Sequence, residues 1–248
     1  MELGIAGKRA AVAGASAGLG RATAKALAAE GAAVVICGRD RARIEAAAIA
    51  IGHGCVPLVC DVSSAEGGAE FVAAAIDALG GIDILVANSG GPPAGTFAST
   101  DVDMYQVGID LNLLSVVGMC KAAIPAMQER KWGRVVAITS VSVRQPIPTL
   151  ILSNTARAGV TGFLKTVARE VAHDGVTVNS VQPGLHLTGR VTQLYGTTPD
   201  AAAMGIPAGV MGDPDDFGHV VTFLCSDHAK FVTGVQMHVD GGAYGGLL

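Results

Sequence analysis

Short runs of β-branched and other apolar residues alternate along the chain with alanine-rich stretches that have helical periodicity. Because strands separated by helices form parallel βαβ crossovers, this alternation predicts an α/β fold with a doubly wound parallel sheet. The predicted strands are Arg9–Ala13, Ala33–Cys37, Val56–Cys60, Ile84–Ala87, Arg134–Ile138, Val176–Val181 and Val235–Val239. The predicted helices are Leu19–Ala29, Arg41–Ile51, Glu66–Leu79, Leu111–Lys131 and Leu150–Val171.

No linker, low-complexity tract or internal repeat divides the 248 residues, so we expect a single domain over residues 1–248. The segment Thr188–Asp213 differs from the rest because it contains glycine, proline and threonine and has little periodicity. Segments of this length without regular structure often cover a binding site. We therefore predict that Thr188–Asp213 is a substrate lid.

The composition narrows the class of protein. Half of the residues are hydrophobic and only 4% are aromatic, which suits a sheet that is buried on both faces. The net charge is −4 with no run of Lys or Arg, so we expect no nucleic-acid surface. Apolar runs such as Ala32–Cys37 are far shorter than the roughly 20 residues of a membrane helix. The sequence predicts a cytoplasmic protein without a membrane partner.

Neither the cysteines nor the histidines show the spacing of a metal site. The five cysteines form no Cys-x-x-Cys pair and lie among Val, Ile and Leu, which is typical of buried reduced thiols. We therefore expect neither a structural metal nor disulfide bonds.

A glycine-rich turn joins the first predicted strand to the first predicted helix. Its sequence is Gly14-Ala15-Ser16-Ala17-Gly18-Leu19-Gly20. A glycine turn in this context lets the backbone close on a pyrophosphate at the positive end of the helix. Glycines also serve ordinary tight turns, but the order of strand, turn and helix favours a Rossmann-type dinucleotide site.

The end of the second predicted strand favours one dinucleotide over another. An acidic residue here would bind the ribose 2′-hydroxyl of NAD, but the chain has Gly38 and then Arg39. A cation suits the 2′-phosphate of NADP, so we expect NADP and regard NAD as the alternative. Two points oppose this interpretation: Arg39 also suits a solvated first-turn position, and Ala17 stands where a second basic residue would strengthen the site.

The chain resembles the short-chain dehydrogenase/reductase family over nearly its whole length. Besides the glycine turn, the stretches that carry the resemblance are Asp61-Val62, Asn88-Ser89-Gly90, Leu111-Asn112-Leu113, Pro183-Gly184 followed by Thr188, and Val239-Asp240-Gly241-Gly242. The resemblance implies that Asp61 and Val62 bracket the adenine, that Asn88 and Gly90 belong to the cofactor site, that Asn112 is a structural and catalytic asparagine, and that Pro183, Gly184 and Thr188 contact the nicotinamide amide.

The resemblance also implies a reaction, and here the chain departs from the family. The family transfers a hydride between nicotinamide and a carbonyl or alcohol carbon, with a tyrosine as acid or base, a lysine four residues later and a serine about thirteen residues earlier. Counted from the flanking stretches, Ser140 keeps the serine position, Ser153 stands at the tyrosine position and Arg157 at the lysine position. The chain's three tyrosines, at 105, 195 and 244, lie too far away to restore the motif by a shift of register.

Ser153 and Arg157 are predicted to lie one helical turn apart on the same face, so that both side chains reach one bound group. Arg157 offers a permanent cation and a planar set of donors that suit a ribose or a substrate oxyanion. We expect it not to donate a proton, because the pKa of arginine exceeds about 12. Ser153 is a hydrogen-bond donor but a poor source of protons. Reduction of a carbonyl would then need another acid, a water molecule, or electrostatic stabilisation alone.

Three further residues are candidates for the substrate side. His186 follows Pro183-Gly184 and titrates in a useful range, although a hydrogen-bonded loop histidine explains it as well. Tyr195 lies in the predicted lid, where it either swings inward or only packs. Arg144, just beyond Ser140, is either a ligand for a substrate carboxylate or a surface residue.

The sequence thus favours an NADP-dependent oxidoreductase that acts on a small carbonyl or alcohol substrate through an altered proton relay. Two alternatives remain open: a non-redox isomerase or lyase on the same scaffold, and a catalytically inactive dinucleotide-binding protein. The resemblance further implies a homotetramer, with a dimer as the alternative, formed through the helices Leu111–Lys131 and Leu150–Val171.

Overall fold

A computed structural model describes residues 2–197 and 199–247, with seven strands and eight α-helices among them. The strands are β1 (Arg9–Val12), β2 (Ala33–Gly38), β3 (Val56–Val59), β4 (Ile84–Ala87), β5 (Gly133–Ile138), β6 (Val176–Pro183) and β7 (Gln236–Val239). The helices are α1 (Gly18–Ala29), α2 (Arg41–Ile51), α3 (Ala65–Leu79), α4 (Asp103–Ile109), α5 (Ser115–Glu129), α6 (Ile151–Val171), α7 (Gly189–Tyr195) and α8 (Pro214–Leu224).

The seven strands form one parallel sheet in the order β3-β2-β1-β4-β5-β6-β7. The chain moves outward from β1 to β3 and then returns to add β4 on the other side of β1. In such sheets, ligands bind beyond the carboxyl ends of the strands at this point of reversal. The predicted doubly wound parallel fold is confirmed.

The sheet is covered on both faces. On one face α3, α5 and α6 bury Phe71, Met119 and Leu164 among their apolar side chains. On the other face α1, α2 and α8 bury residues such as Leu27 and Phe217. A strand covered on both faces needs a mainly apolar sequence, and this explains why β1, β2, β4 and β5 consist mostly of Ala, Val, Ile and Leu.

The predicted helix Leu111–Lys131 begins earlier and is less regular than expected. It starts as α4, passes through a π-helical turn at Asp110–Leu114 and continues as α5. Short π-helical turns are frequent at functional sites, and this one contains Asn112. The stretch Asp103–Glu129 is long and apolar enough to cross a membrane by length and composition, with a mean hydropathy of 1.6. Half of that apolar window is buried within the structure, so core packing accounts for its composition.

The segment Thr188–Asp213 is more regular than its sequence suggests. It begins with α7, whose first turn is capped by the Thr188 hydroxyl, which accepts a hydrogen bond from the Val191 amide at 3.4 Å. Thr198 lies outside the described residues. Further along, Ile206 is buried and the Ala208 amide donates to the Gly241 carbonyl at 3.0 Å. The segment therefore packs against the chain that follows β7.

Candidate active site

The glycine turn after β1 has a backbone conformation that favours glycine. Gly14 and Gly18 have φ angles of +57° and +58°, in the left-handed region. A Cβ on Gly20 would lie 2.6 Å from the Gly14 carbonyl oxygen, so the start of α1 packs directly on the preceding loop. The spacing of the three glycines thus reflects two backbone conformations and one close approach.

The first turn of α1 is free to bind an anion. Four other helices have a side-chain cap at their N-terminus, but the N-cap of α1 is Ala17, which makes no capping hydrogen bond. The capped helices are α2 by Asp40, α3 by Ser64, α7 by Thr188 and α8 by Asp213. The backbone N–H groups of α1 and its positive end therefore fit a dinucleotide pyrophosphate.

Asn88, at the end of β4, holds the glycine turn in place. Its Nδ2 donates to the carbonyl oxygens of Ala13 and Gly14, at 3.2 and 3.1 Å. This amide joins β4 to the phosphate end of β1 across the point where the sheet reverses. Asn88 therefore shapes the turn through its backbone contacts.

Asn112 connects the loop after β4 to the π-helical turn. Its Nδ2 donates to Ser89 Oγ at 2.9 Å and to the Gly90 carbonyl at 2.8 Å, while the Ser89 hydroxyl donates to the Leu111 carbonyl at 2.8 Å. The Asn112 Oδ1 is buried and has no partner among the described residues. A buried acceptor of this kind usually meets an ordered water or a ligand.

The adenine side of the cleft presents an unpaired cation. Arg39 is exposed directly after β2 and forms no ion pair with any described residue. A Cβ on Gly38 would lie 3.2 Å from Ser16 Cβ, so the hydroxyl of the glycine turn stands next to the end of β2. After β3, Val62 is buried, and Asp61 is exposed and accepts a hydrogen bond from the Ser63 amide at 3.1 Å. These placements fit the 2′-phosphate and the adenine of NADP.

The loop after β6 closes the cleft from the other side. The Gly184 amide donates to the Val239 carbonyl at 2.9 Å, which extends the pairing of β6 with β7 beyond Pro183. A Cβ on Gly18 would lie 3.5 Å from the Thr188 methyl carbon, so the N-terminus of α7 lies against the glycine turn. Pro183, Gly184 and Thr188 thus lie at the crevice where the resemblance expects the nicotinamide.

Ser140 lies at the carboxyl end of β5, where the polypeptide turns away from the sheet. Its Oγ accepts a hydrogen bond from the Ser142 amide at 3.1 Å, which orients the hydroxyl and leaves its proton available to a substrate oxygen. Ser142 is buried, and its own hydroxyl has no partner among the described residues. Ser140 is therefore the better placed of the two hydroxyls for a substrate.

Ser153 and Arg157 meet on the inner face of α6. Arg157 Nε donates to Ser153 Oγ at 3.2 Å, and Nη1 donates to the Ile138 carbonyl at 3.1 Å. Both side chains are only 8% exposed. The expectation that the arginine pKa exceeds about 12 needs correction, because burial lowers the pKa of Arg157 to about 10. The guanidinium still carries its charge at neutral pH.

The three predicted substrate residues lie in different surroundings. His186 is buried, its Nδ1 is 3.2 Å from the Gly184 carbonyl, and its ring packs edge-on against Phe217 at 5.1 Å. Burial lowers its pKa, so the imidazole is held neutral within the loop. Arg144 is exposed and its Nε donates to Gln236 Oε1 at 3.1 Å, which is a contact with a neutral group. Tyr195 is 41% exposed at the end of α7.

Two polar residues at the cleft were not singled out from the sequence. Arg190 Nη2 donates to the Pro92 carbonyl at 3.4 Å, so α7 is connected to the loop after β4. Gln182 is fully buried on β6; its Nε2 donates to Gln236 Oε1 at 3.4 Å, and its Oε1 has no described partner. A glutamine in a buried strand was the available signal for Gln182, and an arginine two residues after Thr188 was the signal for Arg190.

The family model described as "Enoyl-(Acyl carrier protein) reductase" matches residues 14–244. The chain is 34% identical over 242 residues to 3-oxoacyl-[acyl-carrier-protein] reductase of Vibrio cholerae, covering 98% of this chain and 99% of that protein. It is 32% identical to human dehydrogenase/reductase SDR family member 4, covering 96% of this chain and 88% of that protein.

A solved structure of L-sorbose reductase from Gluconobacter frateurii, complexed with NADPH and L-sorbose, is 30% identical to this chain. The two structures superimpose with a TM-score of 0.92 over the whole of both chains. The arrangement of β1 to β7 and the cleft at its reversal are therefore shared with a structure that holds NADPH.

Proposed function

Because the chain belongs to the short-chain dehydrogenase/reductase family, we propose that it is an NADP-dependent oxidoreductase that uses an altered proton relay on a carbonyl or alcohol substrate. The observation that carries this proposal is the uncapped first turn of α1 next to the exposed Arg39. The relatives are named as reductases and give no support to a lyase, an isomerase or an inactive binding protein.

The cofactor would extend along the carboxyl edge of the sheet. The backbone of Gly14–Gly20 would hold the pyrophosphate, Arg39 the 2′-phosphate, and Asp61 with Val62 the adenine. Asn88 and Gly90 would border the central part, and Pro183, Gly184 and Thr188 would contact the nicotinamide amide. When bound, the nicotinamide supplies or accepts the hydride.

The chain's own residues would bind the substrate oxygen and stabilise the negative charge that develops on it. We place Ser153 and Arg157 at the positions where the family carries its tyrosine and lysine. Ser140 would donate a hydrogen bond to the substrate oxygen, and Arg157 would stabilise negative charge near it. The proton would come from solvent, since neither group is an adequate acid. The unpaired Asn112 Oδ1 offers an acceptor for a water on that route.

Three further features belong to the proposal. The segment Thr188–Asp213 would act as the lid, with Tyr195 on its exposed side and His186 and Arg144 bordering the substrate. The protein would assemble as a homotetramer through α5 and α6, with a dimer as the alternative. It would act in the cytoplasm, where its nucleotide cofactor is available. The bacterial relatives are named as 3-oxoacyl-[acyl-carrier-protein] reductases.

Calorimetric titration of the nucleotide-free protein tests the cofactor. We expect micromolar binding of NADPH and much weaker binding of NADH. Arg39→Gln should reduce NADPH affinity by about tenfold and leave NADH unchanged, because one charge-assisted contact contributes about 1.5 kcal/mol. Arg41→Gln is the matched control, since Arg41 pairs with Glu45 on its own helix. Absence of binding for every nucleotide at millimolar concentration would refute the proposal.

A pair of serine variants tests the site. A screen of carbonyl compounds for NADPH oxidation first supplies a substrate. Ser140→Ala should then lower kcat by about 100-fold without changing NADPH affinity, because it removes a donor to the developing oxyanion. Ser142→Ala, which removes a neighbouring buried hydroxyl that has no described partner, should change kcat little. Equal losses in both variants would argue against a specific role for Ser140.

A further inference from the structure

Arg157 is a buried cation to which the protein offers no negative charge. It is 8% exposed, and its two hydrogen bonds go to a serine hydroxyl and to a backbone carbonyl, which are both neutral. No carboxylate of residues 2–197 or 199–247 lies within 4.0 Å of it. Its Nη2 has no protein acceptor in this part of the chain, nor is it among the fully enclosed unpaired atoms, so it keeps contact with solvent.

The other buried arginine among the described residues, and a partly buried one, do have a carboxylate partner. Arg134, with a side chain 3% exposed, lies 3.6 Å from Asp227. Arg9, which is 26% exposed, forms a two-pronged contact with Asp83. Taking an ion out of water costs several kcal/mol unless another charge compensates for it. The missing partner at Arg157 therefore points to an anion that comes with a ligand.

Two further arginines, on the elements that follow β5 and β6, also lack a carboxylate partner. Arg144 follows the Ser140 turn and Arg190 begins α7, so both elements that border the same cleft carry an arginine. Neither forms an ion pair with a described residue; Arg144 donates to the Gln236 amide oxygen and Arg190 to the Pro92 carbonyl. Buried and exposed cations without partners favour an anionic substrate over a neutral one.

The NADP phosphates do not supply this anion in the proposed binding mode. The pyrophosphate would lie at the first turn of α1 and the 2′-phosphate at Arg39, on the β1 and β2 side of the sheet. Arg157 instead contacts the end of β5, next to Ser140. A ribose of the cofactor carries no charge, so the anion that meets Arg157 is the substrate itself.

We propose that the substrate is a 2-oxo acid in the reductive direction, and the corresponding 2-hydroxy acid in the oxidative one. Its carboxylate would accept hydrogen bonds from Arg157 Nη2 and from the Ser153 hydroxyl, whose oxygen already accepts from Arg157 Nε and whose proton is free. Its carbonyl oxygen would accept from Ser140. The small side chain of Ser153 leaves room for the carboxylate where a tyrosine ring would stand.

The chemistry balances with the cofactor already proposed, on which this inference rests. The carbonyl carbon receives a hydride from the reduced nicotinamide, and the electron pair of the C=O π bond moves to the oxygen. That oxygen then takes a proton from solvent. The products are the 2-hydroxy acid and the oxidised dinucleotide, and the carboxylate is unchanged.

Binding to the NADP⁺ complex, in which the ligand cannot be reduced, measures the effect of the substrate's negative charge separately from catalysis. The protein is loaded with NADP⁺, which cannot reduce the ligand, and is titrated by calorimetry with 2-oxo acids that range from pyruvate to phenylpyruvate. Their methyl esters serve as neutral counterparts. At least one acid should bind about tenfold or more tightly than its ester, as expected for a charge-assisted contact. Equal affinities, tighter binding of the esters, or no binding of any acid would each overturn the inference.

Two Arg157 variants assign the effect to this residue. Arg157→Met should abolish the preference for acids over esters, and Arg157→Lys should retain part of it because it keeps the charge. Melting curves of both variants with and without the acid report on folding; the acid should raise the Tm of the wild type and of the lysine variant only. A preference that survives in Arg157→Met would assign the anion to Arg144 or Arg190 and overturn the proposal.

Failure of this inference can be told apart from failure of the function. If NADPH binds and the esters are reduced while the acids are neither bound nor reduced, the oxidoreductase assignment stands and the 2-oxo acid is wrong. If no nucleotide binds, the proposed function itself fails. The calorimetric titration of NADPH is therefore carried out first.

Discussion

The two halves of the chain treat their buried polar groups differently. Residues 2–111, the cofactor half, contain β1 to β4 and the glycine turn. Residues 112–247 without Thr198, the catalytic half, contain Asn112, Ser140, Ser153 and Arg157. Eight buried side-chain atoms have no hydrogen-bond partner among the described residues, and all of them lie in the catalytic half.

The difference suggests two kinds of site. The cofactor half is already ordered by contacts within the protein, whereas the polar groups of the catalytic half gain their partners when a ligand binds. In the cofactor half, Asn88 and the glycines fix the backbone of the glycine turn through hydrogen bonds within the protein. In the catalytic half, buried atoms such as Asn112 Oδ1 and Gln182 Oε1 have no hydrogen-bond partner among the described residues. Arg157 has no carboxylate partner among them either. Because unpaired buried groups are costly, their concentration marks the half whose polar groups are not satisfied by the described residues alone.

The largest expected effect comes from a substitution that distorts the glycine turn of the cofactor half. Gly20→Ala places a Cβ 2.6 Å from the Gly14 carbonyl oxygen, which can be relieved only by moving the glycine turn away from α1. We expect NADPH affinity to fall by about 100-fold, since overpacking of this kind costs about 1–3 kcal/mol and 1.4 kcal/mol is tenfold. Calorimetry of the purified variant measures it.

Gly162→Ala is the matched control for that substitution. Gly162 lies within α6, and a Cβ there meets nothing within 4 Å. The alanine should leave NADPH affinity unchanged and stabilise the helix slightly, because alanine has the higher helix propensity. Equal NADPH affinity in Gly20→Ala and Gly162→Ala would show that the turn does not hold the nucleotide.

The same residues show which parts of the fold and of the candidate site could be predicted from the sequence. Gly14, Gly18 and Gly20 could be predicted because their role depends on local backbone geometry, which neighbouring residues encode. The helix α7 was missed because the glycine, threonine and proline content of Thr188–Asp213 concealed a seven-residue helix. The unpaired charge of Arg157 could not be predicted, since it depends on which carboxylates the fold brings near it. The burial of His186 depends in the same way on Phe217, which is 31 residues distant in the sequence.

Each half is also stabilised internally by a buried carboxylate, Asp83 in the cofactor half and Asp174 in the catalytic half. Asp83, at the start of β4, accepts three hydrogen bonds from Arg9 on β1. Asp83→Asn should lower the free energy of unfolding by about 2 kcal/mol, as expected for hydrogen bonds to a charged group, and the Tm by about 5 °C. Asp174→Asn, which loses Lys131 and keeps an acceptor for Gln128, should have the smaller effect. Thermal melting at neutral pH compares them.

Acid should remove the difference between wild type and Asp83→Asn. Burial opposes ionisation of Asp83, but its hydrogen bonds with Arg9 and the charge of Arg130 together lower its pKa. A lowered pKa adds stability that is present above the unfolded value of about 3.9 and is lost as the pH falls through the folded value. The two melting curves should therefore converge below about pH 4. A constant difference between pH 7 and pH 3 would contradict the charged contact.

A tyrosine at position 153 and a lysine at position 157, as in the family, should shift the activity of the catalytic half toward neutral ketones. The double variant Ser153→Tyr, Arg157→Lys supplies an acid near the substrate oxygen, and general acid catalysis typically contributes at least 100-fold. Because the surrounding residues are adapted to serine and arginine, we expect only about a tenfold gain in kcat on neutral ketones. The preference for acidic substrates should fall at the same time. Unchanged turnover of neutral ketones would show that loss of the tyrosine is not what limits this enzyme.

The smallest expected effect concerns His186, which is the one predicted substrate residue that is buried. Burial lowers its pKa, so the folded protein binds fewer protons at this site than the unfolded chain does. Stability should then increase as the pH rises toward the unfolded value of about 6.5 and level off above it. In His186→Asn, the amide can still reach the Gly184 carbonyl, so the fold should persist and the slope between pH 5 and 7 should flatten by less than about 1 kcal/mol in total. Melting curves across that range measure the slope, and kcat in the same buffers separates packing from catalysis. If His186 were instead the missing acid, the variant would lose kcat at every pH in addition to the flattened stability profile.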